Sequence, residues 1–203
     1  IAQATAPVVA VMIDGARMVS PGLLRAALDA LGDDPKAVAG VHGLHLGPVL
    51  HQEAAEQGYD QATEDALLAE LGWRDDGYRL FEKAVLSKSS GKGWRELPSE
   101  TTALFMHRAA WEALNGYDER FQSPGGGLAN LDIWKRATER RGAEVTILLG
   151  EATFHQIHGG ASTGTGPSPR ARFDREYEAV RGKPYERPAV SARFVGEAPG
   201  GGD

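Results

Sequence analysis

Residues Ala6 to Leu24, APVVAVMIDGARMVSPGLL, decide the fold. The apolar run Val8 to Ile13 has the length and β-branched content of a buried parallel strand. It stops at Asp14-Gly15, a carboxylate followed by a residue that accepts almost any backbone conformation. Ser20-Pro21 then opens a helix, with serine as N-cap and proline at the first helical position. Ligands of open α/β sheets lie just outside the carboxyl ends of the strands, so Asp14 is placed to face one.

Outward from this stretch, Pro21 to Leu31 reads as a helix closed by Gly32, and Ala37 to Leu46 as a second strand. The glycines of that strand imply a bulge or close packing. Gln61 to Leu71 has helical periodicity, and Gly72 to Pro98 is a long polar connection of the kind that carries function. Thr101 to Met106 is a short buried strand followed by a helix, Arg108 to Leu114. Asn115-Gly116 turns the chain into YDERF and the run SPGGG, after which Ala129 to Arg141 is a patterned helix. Glu144 to Leu149 and Thr153 to His158 read as two strands, Arg170 to Arg181 as a charged helix, and Glu197 to Asp203 as a disordered tail. The alternation of strand and helix predicts an α/β layered domain over residues 1–166, with residues 167–203 as a charged helix and tail.

The 203 residues suffice for one domain with a substantial core; 41% are hydrophobic and 25% charged, ordinary for a globular protein. A net charge of −6 without a clustered basic face argues against nucleic acid as a partner. The chain has no cysteine, which excludes disulfides and thiolate metal sites and fits a reducing, cytoplasmic setting. No apolar run approaches the ~20 residues that span a bilayer.

Two places carry candidate chemistry on their own residues. Asp14 is the first. The second is His155-Gln-Ile-His158 before Gly159-Gly160, two imidazoles whose spacing beside glycines suggests a metal or phosphate site. Glu100, just before the TTALFM strand, faces the same carboxyl-end region, ligand binding there being the less favoured reading. His42 and His45 read as local hydrogen-bonding residues on a strand, and Trp94 as an aromatic in a polar loop that could stack on a sugar ring. The SKSSGKG loop, with Lys88 and Lys92, lacks the spacing of a phosphate loop.

IDGARMVSPGLL resembles the strand, D-x-D and S-P-G-x-L of family 2 glycosyltransferases with the GT-A fold. NGYDERF, Asn115 to Phe121, is similar to that family's G-G-F-D-E-x-F, and ANLDIWKR, Ala129 to Arg136, to its G-x-E-D-x-D-L. GEATFHQIHGGAS is similar to its P-x-A-x-x-x-H-x-x-G-x-S. The resemblance covers roughly residues 1 to 165, in the family's order. It implies a Rossmann-like, mostly parallel sheet flanked by helices, here the C-terminal two-thirds of a catalytic domain whose preceding units hold the nucleotide base and ribose.

The resemblance also implies a function: transfer of a sugar from a nucleotide-sugar donor to a hydroxyl on a glycan, lipid-linked or protein acceptor, by inversion. Asp14, Gly15 and Ala16 would face the donor diphosphate. Mn²⁺ or Mg²⁺ would be held by Asp14 and His158, with His155 the alternative histidine. Ala129 and Asn130 replace the motif's leading acids, so Asp132 is the expected base, and Tyr117, Asp118, Gly126 and Gly127 would join Glu100 in lining the acceptor site. A non-catalytic nucleotide-sugar or glycan-binding module is the alternative, and a metal-dependent hydrolase built on the H-x-x-H pair a weaker third.

Overall fold

The computed structural model describes residues 3–13, 15–90, 93–158 and 169–200. The elements run β1 (Val8–Met12), β2 (Arg17–Val19), α1 (Leu23–Leu31), β3 (Ala37–Leu46), α2 (His51–Glu56), α3 (Gln61–Leu71), β4 (Ala84–Leu86), β5 (Ala103–His107), α4 (Arg108–Ala113), α5 (Ala129–Thr138), β6 (Glu144–His155), α6 (Arg170–Arg181) and β7 (Ala192–Gly196). All seven strands join one sheet, ordered β1-β5-β3-β6-β2, with β4 on β3 and β7 on β6. No helix among the described residues is long and apolar enough to cross a membrane.

The chain is a mixed α/β domain, but the expected mostly parallel pairing is not what forms. Only β3·β6 and β6·β7 pair parallel, whereas β1·β5, β3·β5, β3·β4 and β2·β6 are antiparallel. The reason lies in the connections. Strand–helix alternation gives parallel strands only when each connection crosses back to the starting end of the sheet. After β3 the chain stays at that strand's carboxyl end: β4 pairs with its last residues, and Ser87 N–H donates to Gly43 O at 2.8 Å. β5 therefore enters from that end and runs backwards between β1 and β3. Because β5 is antiparallel to both, β1, β3, β6 and β7 share one direction, and the carboxyl ends of β1, β3 and β6 lie together.

Period-two alternation builds a core on each sheet face. Val38, Leu104, Met106, Val145 and Ile147 pack against Trp111 of α4 and Ile133, Trp134 and Ala137 of α5. On the other face Ala37, Ala39, Val41, Ala103 and Phe105 receive Leu23, Ala27 and Leu31 of α1. The β3 glycines serve close packing: a Cβ on Gly40 would lie 2.9 Å from Thr101 Oγ1 and from the Trp134 ring, and one on Gly43 2.7 Å from Thr102. Ser20 does not cap α1. Its hydroxyl donates to Glu151 and accepts from Ala152 N–H at 3.0 Å, and Gly22 takes the N-cap place because a side chain there would run into Glu151 and Tyr78.

The two strands expected over 144–158 are one strand with a break. Val41 of β3 pairs with Leu148 of β6, but the next residue, His42, pairs with Ala152. Leu149 to Glu151 bulge out, with Gly150 at φ 76° and its Cβ direction 2.8 Å from the Glu197 carbonyl oxygen. β7, unforeseen in the sequence, pairs with the first half of β6, and β2 with the second. Gly150→Ala should therefore lose on the order of 1–3 kcal/mol of stability, from a left-handed residue pressed on backbone. Urea denaturation of the variant beside wild type measures the loss.

Candidate functional site

The shared carboxyl end of β1, β3 and β6 gathers most of the polar side chains that the core excludes. Ile13 N–H donates to Thr102 O at 3.1 Å, which sets the end of β1 beside the Glu100–Thr102 entry to β5. Asp14 lies outside the described residues. Gly15 is exposed at φ 103°, and Gln156 N–H donates to Ala16 O at 2.8 Å, tying this turn to the end of β6. A Cβ on Gly15 would lie 3.3 Å from His158 Nε2, so the bare glycine lets the exposed imidazole rest against the turn. Gly15, Ala16 and His158 are thus together.

Behind His158 is a group of buried histidines, His45, His51 and His155, of which sequence reading missed His51. His45 ends β3, His51 starts α2 and His155 ends β6. His51 Nδ1 is 3.0 Å from His155 Nδ1, and His155 Nε2 is 2.9 Å from His158 Nε2. His51 Nε2 donates to Leu46 O at 2.9 Å, and His45 Nδ1 accepts the His51 backbone N–H at 2.9 Å. The ligand atoms of His45, His51 and His155 all lie within 4.8 Å of one another, so by residue type and reach the three could hold a metal ion. Burial, helped by neighbouring imidazoles and the Arg17 guanidinium, lowers His45 and His155 to about 3, and burial also lowers His51. The signal available in the sequence was that two predicted strands each bear histidine at the carboxyl end. Glu64 of α3, also buried, accepts Ile157 N–H at 3.0 Å and steadies the segment between His155 and His158; burial raises its pKa.

Glu100 stands on the other side of the β1 end, half-buried. Asn130 Nδ2 donates to Glu100 Oε2 at 3.0 Å and to Thr101 O at 2.9 Å, while Tyr117 donates its hydroxyl proton to Asn130 Oδ1 at 2.9 Å. Desolvation raises the Glu100 pKa against the opposing pull of the Asn130 bond and the Arg17 and Arg170 charges. Glu100 and Tyr117 are therefore joined through Asn130, the residue in the place of a motif acid.

Asp132 has another job. It is 1% exposed, and Arg136 and Arg181 hold its carboxylate at 2.6–2.7 Å. Arg136 also donates to Leu114 O and Gly116 O, so this carboxylate knots α5, α6 and the Asn115-Gly116 turn. A base must present an oxygen to an incoming proton, and in this structure both oxygens of Asp132 accept from arginines. Asp118 joins the same ion cluster: its bond to Arg120, with the Arg181 charge, drives its pKa far down, and nothing directs it towards Glu100. Gly127 packs beneath Glu176 of α6, and Gly126 faces open space. Neither is linked to Glu100 by a hydrogen bond among the described residues. Trp94 is half-buried, edge-on to His42 and packed near Phe81, so it is not an exposed platform. Lys92 lies outside the described residues.

A shallow hollow of about 380 Å³ adjoins this end, lined by Met18, Leu68, Trp73, Arg74 and Gln156 among others. Comparison of the chain with protein-family models, with curated proteins and with solved structures gave no match.

Two outcomes follow. Asp132→Asn should cost about 3 kcal/mol, the loss expected when a buried pair is broken and its cations remain, read from the shift in the urea midpoint. Stability should also fall as pH drops from about 6.5 towards 3. The unfolded chain protonates each imidazole near 6.5, the folded chain only near 3 at His45 and His155, so acid favours unfolding by up to about 1.4 kcal/mol per pH unit for each lowered histidine. Glu64 and Glu100, raised in the fold, oppose this above pH 4.5. Denaturation curves at successive pH values should show the slope, and His155→Gln should flatten it.

Proposed function

We propose that this chain is part of the catalytic domain of a GT-A glycosyltransferase resembling family 2, moving a sugar from a nucleotide-sugar donor to a hydroxyl acceptor with inversion. The observation that carries the proposal is convergence. The Gly15–Ala16 turn and His158, in contact, and the Tyr117–Asn130 pair come from the three motif regions of the resemblance, and Asn130 holds Glu100 at the entry to β5 beside the end of β1. A cytoplasmic setting fits the lack of cysteine.

Glu100 is the base in this proposal. Asn130 occupies Oε2, and the other oxygen accepts the proton from the acceptor hydroxyl as it attacks the anomeric carbon. Desolvation makes the carboxylate a better proton acceptor than a solvated one. Tyr117 acts through Asn130 to fix the carboxylate's orientation. Arg17 contributes positive charge beside the position proposed for the donor diphosphate.

We propose Asp14, which precedes Gly15 in the sequence, and His158, whose ring rests against the bare Gly15, as ligands of a divalent cation; carboxylate and imidazole suit such an ion. Mn²⁺ or Mg²⁺ there would neutralise charge on the departing nucleoside diphosphate. The binding-module alternative draws on one observation, the engagement of Asp132 in ion pairs.

Glu100→Gln keeps the shape and the Asn130 contact but removes the basic site. It should lower turnover by about 10²–10⁴-fold and leave donor affinity unchanged. Nucleoside diphosphate release from a panel of nucleotide sugars, measured on the full-length protein with Mn²⁺, provides the readout. His158→Ala should weaken nucleotide-dependent Mn²⁺ binding in calorimetry. Equal turnover for Glu100→Gln and wild type would remove Glu100 as base, and no release with any donor would favour the binding module.

A further inference from the structure

The three buried histidines have the composition of a metal centre, yet their hydrogen bonds assign them a different task. Each bond needs one donor and one acceptor, and a neutral imidazole offers one of each. Leu46 O can only accept, so His51 Nε2 carries a proton and His51 Nδ1 a lone pair. His155 Nδ1, 3.0 Å away, must then be the donor, which leaves His155 Nε2 as an acceptor. His158 Nε2, 2.9 Å from it, must donate in turn. Reversing any step sets two lone pairs or two protons against each other. The three rings are buried, His51 fully, and the carboxylate facing them, Glu64 Oε2, stands 3.9 Å from His51 Nε2, the nitrogen that already carries the proton.

Among the rings themselves, with no ion between them, the same logic leaves no set of converging lone pairs. His45 Nδ1 is occupied by the His51 N–H, so its ring proton is on Nε2. His155 Nδ1 bears a proton. Of the facing nitrogens only His51 Nδ1 has a lone pair, and His155 already uses it.

We propose that His51 and His155 are positioning residues that order the ring protons outward from Leu46, fixing His158 with its proton on Nε2 and its lone pair on Nδ1. The proposal rests on the preceding reading of His158 as a cation ligand, and it names Nδ1 as the ligating atom. It also gives the glycine at position 15 a reason, because His158 Nε2 lies 3.3 Å from where a Cβ would stand and the ring must keep that position to reach His155. Metal-binding histidines are commonly oriented by a partner on their second nitrogen, usually a carbonyl or carboxylate; here the partner is a second imidazole whose own proton is set by a third.

Nitrogen-15 NMR of the full chain labelled at histidine reads the ring protons directly, without metal or substrate. His51 and His158 should appear as Nε2–H forms and His155 as the Nδ1–H form at pH 8. His51→Phe removes the acceptor for His155 and should switch His158 to the Nδ1–H form, with at least a tenfold loss of Mn²⁺ affinity in the presence of nucleoside diphosphate. A wild-type His158 found as Nδ1–H overturns the proposal even if the variant does not fold. So does stoichiometric Zn²⁺ binding that shifts His45, His51 and His155 together, which would make the group a metal centre. If the wild-type proton order holds while Mn²⁺ fails to bind with nucleoside diphosphate, the cation reading of His158 falls, and with it the naming of Nδ1 as ligand.

Discussion

The break in β6 is the constraint on which the site depends. Had β6 continued beside β3 in the register set by Val41 and Leu148, His155 would lie opposite residue 48, beyond the end of β3. The bulge at Leu149 to Glu151 draws the strand back by three positions, about 10 Å at the usual rise. His155 then faces His45 on one side and Arg17 on the other. Glu151, turned out of the ladder, accepts from Ser20 and Tyr78 and so ties the start of α1 to the same break. One glycine at positive φ thereby aligns the ends of three strands.

Two carboxylates near this end illustrate how environment assigns a role to the same chemical group. Asp132 is compensated by two guanidinium groups and takes part in holding α5 and α6 together. Glu100 receives a neutral amide and is half-buried, so its charge is less well compensated and its affinity for a proton rises. The residue that resembles a motif acid is the anchored one, and the carboxylate able to accept a proton comes from the loop before β5. Asn130, within one turn of the anchored acid on α5, donates to Glu100 instead.

Local pattern revealed the elements well. β3, α3 and α6 have the boundaries read from the sequence, each running up to a glycine at positive φ, Gly47, Gly72 and Gly182. Strand direction was not legible, since it depends on which end of the sheet the 72–102 segment occupies, and that follows from long-range pairing of β4 with β3. β7 was hidden because ARFVG is short and half-exposed, and its pairing partner is a strand almost fifty residues earlier. At the site, Asp14, Gly15 and His158 stood out from composition and motif. His51 did not: it lies outside any motif, and only the folded sheet brings it to His155.

The contrast between the two ends of the sheet is itself informative. Below the break, the core against α1, α4 and α5 is mainly apolar, with alternation kept on β3, β5 and β6 and few buried polar residues such as Thr146 and Thr138. Above it, His42, His45, His51, Glu64, Thr102, Thr153 and His155 are all buried. Each buried polar group must find a partner or cost stability, and apolar residues would fill the same volume without that requirement. The bonds among these residues offset the cost but give no gain over leucine or valine. Local rules are kept where the fold needs only to be stable and broken at one end, which is the pattern expected where function rather than packing selects the side chains. That the broken end is also where β1, β3 and β6 terminate makes that edge the candidate site, independently of any resemblance.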